Sequence, residues 1–273
     1  MASRLRCLKL LAEVLELKNL TNIKNRNMKI GIIGAGAIGY NLAKKLAPNH
    51  EVRLAASKMS NELINKATAI GATAVDRKEA VKDVDLVILS IPLKAIAELP
   101  EDLFEGAPED LIIVDTSNYY PLRDGNISEL DNGEVESLWS AKQLGRPIIK
   151  AFNNVIEYTL VHNGKAANSP ERIALSIAGD SEHAKKVVGG IVNETGFDVV
   201  DGGKLADSWR QQPGTPAYCT ELNSEELKNA LKIANKKMAA KNRDEIMHRL
   251  INADAPLTHD QILALNRQTF DEN

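Results

Sequence analysis

Residues 28–39 read MKIGIIGAGAIG. After Lys29 the stretch is apolar up to a glycine, which suits a short strand buried on both faces of a parallel sheet. Gly34, Gly36 and Gly39 then fall in the pattern G-x-G-x-x-G, and Ile38, Leu42 and Leu46 follow at helical spacing. The pattern alone is weak, but here a strand precedes it and a helix follows it. In that setting the first glycine permits a tight turn, the second lets a pyrophosphate approach the backbone, and the third lets helix and strand pack closely. The N–H groups of Gly36, Ala37, Ile38 and Gly39 would face the phosphates at the positive end of the helix. No G-K-[ST] follows, so the turn is not that of a nucleoside-triphosphate P-loop.

Working outward, residues 51–57, 72–75, 85–92, 111–117 and 147–153 read as further strands. Helices are expected over 37–46, 60–70 and 77–82, with Gly71 at a helix C-terminus. Apolar strands alternating with helices define an α/β fold, a Rossmann-type doubly wound parallel sheet over residues 28–155. Residues 156–273 read as a small C-terminal α/β segment with a helical tail, forming the substrate side. In it, strands are expected at 172–179 and 197–203, a helix at 181–196, and a loop at 209–216. The tail reads as two amphipathic helices, the first capped by Ser224 and the second by a Thr258–Gln261 capping box after Pro256. Residues 1–27 read as an extension, an amphipathic helix or the product of an early start codon. Lys9, Glu13 and Glu16 interrupt its apolar run, against a secretory signal.

Composition narrows the function. Lys and Arg number 34 against 37 Asp and Glu, and aromatics make up 4%. That balance leaves no basic footprint for nucleic acid and few rings for base stacking. No apolar run is long enough to span a membrane. Cys7 and Cys219 are too few for a disulfide framework and fit a reducing, cytoplasmic compartment. The five histidines are scattered with no metal-ligand spacing.

The end of the second strand selects the dinucleotide. NAD enzymes usually place an acid there to accept from the ribose 2′-hydroxyl. This chain has Ala55-Ala56-Ser57-Lys58, so nothing repels a 2′-phosphate, Ser57 can donate to it and Lys58 supplies charge. The expected cofactor is NADP(H). Ser90, Ile91 and Pro92 end the fourth strand, where the crevice lies; Ser90 either faces the dinucleotide or caps the next segment. Three polar segments also fall at strand ends, at 115–120, 150–154 and 210–216. Their amides and hydroxyls can orient a carboxamide or a flavin-like ring, or can simply make Asx turns and caps. No acid–base pair stands out, which suits hydride transfer by positioning between two redox coenzymes. His162 is the best-placed histidine, and no catalytic role is assigned to it.

These segments carry a resemblance. MKIGIIGAGAIG, the Ser57-Lys58 pair, DTSNYYPLRDG, IIKAFNN, the AGD of 178–180 and GFDVVDGGKLADSWRQQPGTP resemble the F420-dependent NADP oxidoreductase family from about Met28 to Thr220, with a similar helical tail. The resemblance implies NADP on the glycine turn and Ser57-Lys58, and hydride transfer with a deazaflavin, coenzyme F420. Lys58 departs from the arginine common in the family, keeping the charge without the bidentate fork. By position Asn153 and Asn154 would sit near the nicotinamide and the ring it faces. The acceptor pocket is expected between Asn118, Asn153 and the loop carrying Gln211, Gln212 and Thr215. Other acceptors fit the same turn: a flavin, a quinone, a ferric chelate, or an imine or carbonyl compound. A non-catalytic NADP(H) sensor acting through its tail is a reading of another class. Apolar residues on the tail would suit a homodimer or would pack back on the sheet.

Overall fold

A computed structural model describes residues 27–271. The expectations for the N-terminal extension lie outside the described residues.

Strand β1 (Lys29–Ile33) sits at the centre of a six-stranded parallel sheet. Its partners are β2 (Glu51–Ala55), β3 (Thr73–Ala74), β4 (Leu86–Leu89), β5 (Ile112–Asp115) and β6 (Ile149–Lys150), in the order β3-β2-β1-β4-β5-β6. That is the doubly wound order, in which the chain reverses direction beside β1 and opens a crevice at the strands' C-terminal ends. Side chains alternate between the two faces, as the pleat requires. Ile30, Ile32, Leu54, Leu86, Ile88, Ile112 and Val114 join one core. Ile33, Ala55, Val87, Leu89 and Ile113 join the other. Each such aliphatic side chain contributes about 1.5–3 kcal/mol on full burial.

Helix α1 (Ala37–Leu46) follows the glycine turn, and α2 (Asn61–Ala69) follows β2 with Ser60 as its cap. Gly71 takes φ +78 just past α2, as a terminating glycine does. Helix α3 (Arg77–Val81) lies so close to β1 that a Cβ on Gly31 would fall 1.7 Å from the Ala80 carbonyl oxygen. Four short or medium helices that the apolar periodicity does not reveal come next. They are α4 (Leu93–Ile96), α5 (Pro121–Asp124), α6 (Ser128–Asp131) and α7 (Glu136–Leu144). A one-turn helix offers too few residues for a 3.6-residue pattern to register.

Beyond β6, α8 (Glu157–His162) precedes β7 (Ala174–Ile177), α9 (Glu182–Glu194) and β8 (Asp198–Asp201). Strands β7 and β8 pair in parallel. Lys150 and Ala178 exchange backbone hydrogen bonds of 2.8 and 3.0 Å, which hang this pair on the end of β6. Val188, Ile191 and Val192 of α9 share one apolar core with Ile30 and Ile32 of β1.

Three sequence expectations change here. Trp209, Arg210 and Gln211 are not loop: they end a 3-10 helix spanning Leu205–Gln211. Asp207 starts it by accepting from the Lys204 N–H, Leu205 anchors it in the core, and Gln212, extended before Pro213, stops it. The tail has three helices, not two: α10 (Ser224–Ile233), α11 (Lys236–Ile251) and α12 (His259–Asp271). Ala234 turns extended, at φ −52 and ψ 135, and Asn235 caps a fresh helix. The first tail helix is capped by Asn223, in a reciprocal box with Glu226, so Ser224 is its first helical residue instead of its cap. The Thr258–Gln261 box forms as read. Leu227, Ala230 and Leu231 pack back on Ala174, Val200 and Ala217, while Ile233 and Ile251 remain exposed.

Candidate functional site

The glycine turn closes over the C-terminal end of β1. Gly34 has φ +115, and a Cβ there would lie 2.0 Å from the Ser90 carbonyl oxygen. A Cβ on Gly39 would lie 1.9 Å from the Gly34 carbonyl oxygen. These two glycines are fixed by packing of the protein against itself. Gly36 differs, because among the described residues a Cβ there would meet nothing within 4 Å, and its surface is open. Gly36 is also the N-cap of α1, and no side chain caps that helix. The helix therefore offers free N–H groups at its positive end next to unfilled space, which fits a dinucleotide pyrophosphate.

Ser57 and Lys58 stand exposed just past β2, which neighbours β1. Lys58 forms no ion pair among the described residues. Arg53 on the same strand is committed elsewhere, to the carbonyls of Glu79 and Lys82. Ser90 and Ile91 are half-buried beyond β4 and Pro92 is exposed. Pro92, not Ser90, occupies the N-cap of α4, and the Ser90 side chain lies against the glycine turn, its Cβ 3.0 Å from a Cβ built on Gly39.

The structure brings most of the substrate-side candidates into one buried network, in which Asn154 Oδ1, Gln211 Oε1 and Gln212 Nε2 find no hydrogen-bond partner among the described residues. Asn153 Nδ2 donates to Asn118 Oδ1 at 3.0 Å and to the Gln211 carbonyl at 2.8 Å. Gln211 Nε2 returns a bond to Asn153 Oδ1 at 2.8 Å. Asn118 Nδ2 donates to the Asn153 carbonyl and to the Tyr218 hydroxyl, which pairs with that of Tyr120 at 2.6 Å. Asn154 turns the other way, to Ser176 Oγ and the Ala217 carbonyl. Thr215 bonds the Gln212 carbonyl. Asn153, Asn154, Gln211, Gln212 and Thr215 are all buried, and Asn118 alone of the set is half-buried. Phe152, buried beside them, holds φ +58, a left-handed conformation worth about 1–3 kcal/mol of strain in a bulky residue. His162 is remote from this network, its exposed ring 4.6 Å from that of Tyr158.

Sequence reasoning missed a charged cluster beneath the network. Lys150 Nζ donates to Asp115 Oδ2 at 3.0 Å and to the Ser117 carbonyl, with both side chains fully buried. Each ends an apolar strand, which was a visible signal, but their pairing needs the order of β5 and β6. Glu136 on α7 is also buried; burial pushes its carboxyl up to about 7 against the opposing pull of Lys150 and the Tyr119 N–H. One of its oxygens has no hydrogen-bond partner, as suits a protonated acid.

A doubly wound parallel sheet with an open, uncapped glycine turn at the end of its first strand defines the fold as Rossmann-type. Residues 29–119 match the family model described as NADP oxidoreductase coenzyme F420-dependent. The chain is 29% identical over 205 residues to the F420-dependent NADP reductase of Methanocaldococcus jannaschii, covering 66% of this chain and 86% of that one. It is 43% identical over 75 residues to protein YjhV of Escherichia coli (strain K12), covering 28% of this chain and spanning about half, 55%, of that protein. A crystal structure of the hypothetical protein SMa0349 from Sinorhizobium meliloti superposes with a TM-score of 0.62 at 27% identity, covering 72% of this chain and 96% of that one. Over these spans the chain is similar to F420-dependent NADP reductases.

Proposed function

We propose that this chain is an NADP(H)-dependent oxidoreductase that passes hydride between NADPH and a deazaflavin (coenzyme F420) or similar flavin-like acceptor. The observation that carries the reading is the open glycine turn beside an unpaired Lys58, with no carboxylate at the end of β2. Gly34 and Gly39 hold the turn tight, and Gly36 leaves room for the pyrophosphate. The first-turn N–H groups of α1, at Ala37, Ile38 and Gly39, receive its charge. Ser57 and Lys58 take the 2′-phosphate, and Ser90, Ile91 and Pro92 line the crevice. NADPH, when bound, supplies the hydride. On the acceptor side Asn118 offers the contact, while Asn153, Asn154, Gln211, Gln212 and Thr215 hold it and the surrounding loops in place. Positioning of this kind supplies much of the rate for hydride transfer between two coenzymes.

The test is NADPH oxidation followed by absorbance with a panel of acceptors. Turnover with coenzyme F420 is expected. Turnover restricted to a quinone, a ferric chelate or an imine or carbonyl compound would move the acceptor to that class. NADPH binding without turnover on any of them would make the chain a sensor.

A further inference from the structure

Tail helices α11 and α12 form a half-open pocket of about 130 Å³ against the loop that follows the 3-10 helix. Ile156, Ile246, Met247, Leu250 and Ile262 give it apolar walls, and Tyr120 and Tyr218 also line it. Arg243 is its one charged lining residue among the described residues. The junction is tightly built. A Cβ on Gly214 would fall 2.0 Å from the Ala239 carbonyl oxygen, so α11 lies directly on the loop. Asn242 Nδ2 bonds the Gly214 carbonyl at 3.3 Å, and Asn266 Nδ2 bonds that of Cys219 at 3.1 Å.

Arg243 is only 9% exposed. Its Nε donates to Asp244, a largely exposed acid, at 2.8 Å, and its guanidinium lies 5.2 Å from the centroid of the Tyr119 ring. Its two terminal nitrogens make no hydrogen bond among the described residues. Those nitrogens still reach the open side of the pocket, so an anion entering it meets a largely buried guanidinium with donors to spare. Glu136, whose field also reaches Arg243, is held toward its neutral form by burial and compensates poorly.

We propose that this cavity binds a small aromatic carboxylate, its single ring against the aliphatic wall and its carboxylate on the free nitrogens of Arg243. The size suits a single ring with its carboxylate at the open side, since an enclosed apolar cavity of about 150 Å³ holds benzene and this pocket of about 130 Å³ is not enclosed. The guanidinium fork matches a carboxylate in geometry and charge. The site borders the acceptor-side amides, since the Tyr218 hydroxyl on its wall bonds Asn118 at 3.3 Å. It does not rest on the hydride-transfer reading, because it concerns binding alone.

The test is calorimetric titration of the full chain with benzoate, without dinucleotide. One site is expected. Losses of about tenfold or more in affinity are expected for Arg243→Met and for benzyl alcohol in place of benzoate, as befits removal of a charge-assisted contact. Met247→Trp, at a half-buried lining position, fills the cavity while leaving the charge of Arg243 in place and should abolish binding while keeping the wild-type melting temperature. It serves as the second variant if Arg243→Met misfolds. Absence of benzoate binding to the wild type, or undiminished binding by folded Met247→Trp or by benzyl alcohol, overturns the proposal.

Discussion

The two sides of the crevice are built on opposite principles. Around Gly36 the protein leaves space: no atom lies where a side chain would go, no residue caps α1, and Ser57 and Lys58 stand free in solvent. Around Asn153 it leaves almost none. Asn118, Asn153, Gln211, Tyr218 and Tyr120 bond to one another over a buried Lys150–Asp115 pair, with Gln211 Oε1, Asn154 Oδ1 and Gln212 Nε2 left without a partner among the described residues, and the tail closes the loop from outside. The difference teaches that the glycine turn is preformed and open, as the proposed dinucleotide site requires, whereas the proposed acceptor side is a packed scaffold of buried amides in which Asn118 alone of the set is half-buried.

The sharpest way to break the contrast lies within the glycine turn itself. Gly34→Ala must both clash with Ser90 and hold φ +115, and should cost about 3 kcal/mol or more in denaturant unfolding. Gly36→Val should unfold like the wild type yet lose NADPH affinity by about tenfold or more, because its side chain enters only the ligand's space. If Gly36→Val proved as unstable as Gly34→Ala, the open receptor would be an illusion.

On the filled side, Lys150→Met strands the buried Asp115 carboxylate. It should destabilise the fold by about 3–5 kcal/mol, and the added change Asp115→Leu should recover much of that loss. Denaturation of both variants against the wild type measures this. No recovery in the double variant would mean that the pair orders the loop through the Ser117 carbonyl rather than by charge balance.

A smaller effect belongs to Glu136. Its carboxyl rises from an ordinary 4.5 to about 7 in the folded chain. Between those values the folded state holds a proton that the unfolded chain has released, so stability falls as pH rises through that window and is fully present below it. Glu136→Gln should flatten this slope in thermal melts across the window. A slope unchanged in the variant would assign the pH dependence to other groups.

Much of the dinucleotide side was legible in the chain because its signals are local. Strands β1, β4 and β5 are covered on both faces and so read as unbroken apolar runs, and the spacing of Gly34, Gly36 and Gly39 lies within one turn. The Thr258–Gln261 box is local for the same reason. The acceptor side was less legible because its logic is long-range. Asn153 meets Gln211, 58 positions away, and Tyr120 meets Tyr218, 98 positions away, so neither pairing nor burial shows in either segment alone. Lys150 and Asp115 become a pair only once β5 and β6 are neighbours. The break at Ala234 escaped notice because apolar spacing continues across it, and Asn223 beat Ser224 as a cap because Glu226 could complete its box.

The central claim is that charge at the end of β2 selects the phosphorylated dinucleotide. Dissociation constants for NADPH and NADH, measured on the wild type and on Lys58→Glu, test it most directly. The account predicts a wild type that prefers NADPH by about tenfold or more, the scale of one lost charge-assisted contact. It predicts that Lys58→Glu erases or reverses that preference while leaving NADH binding little changed. Equal affinities in the wild type would contradict it.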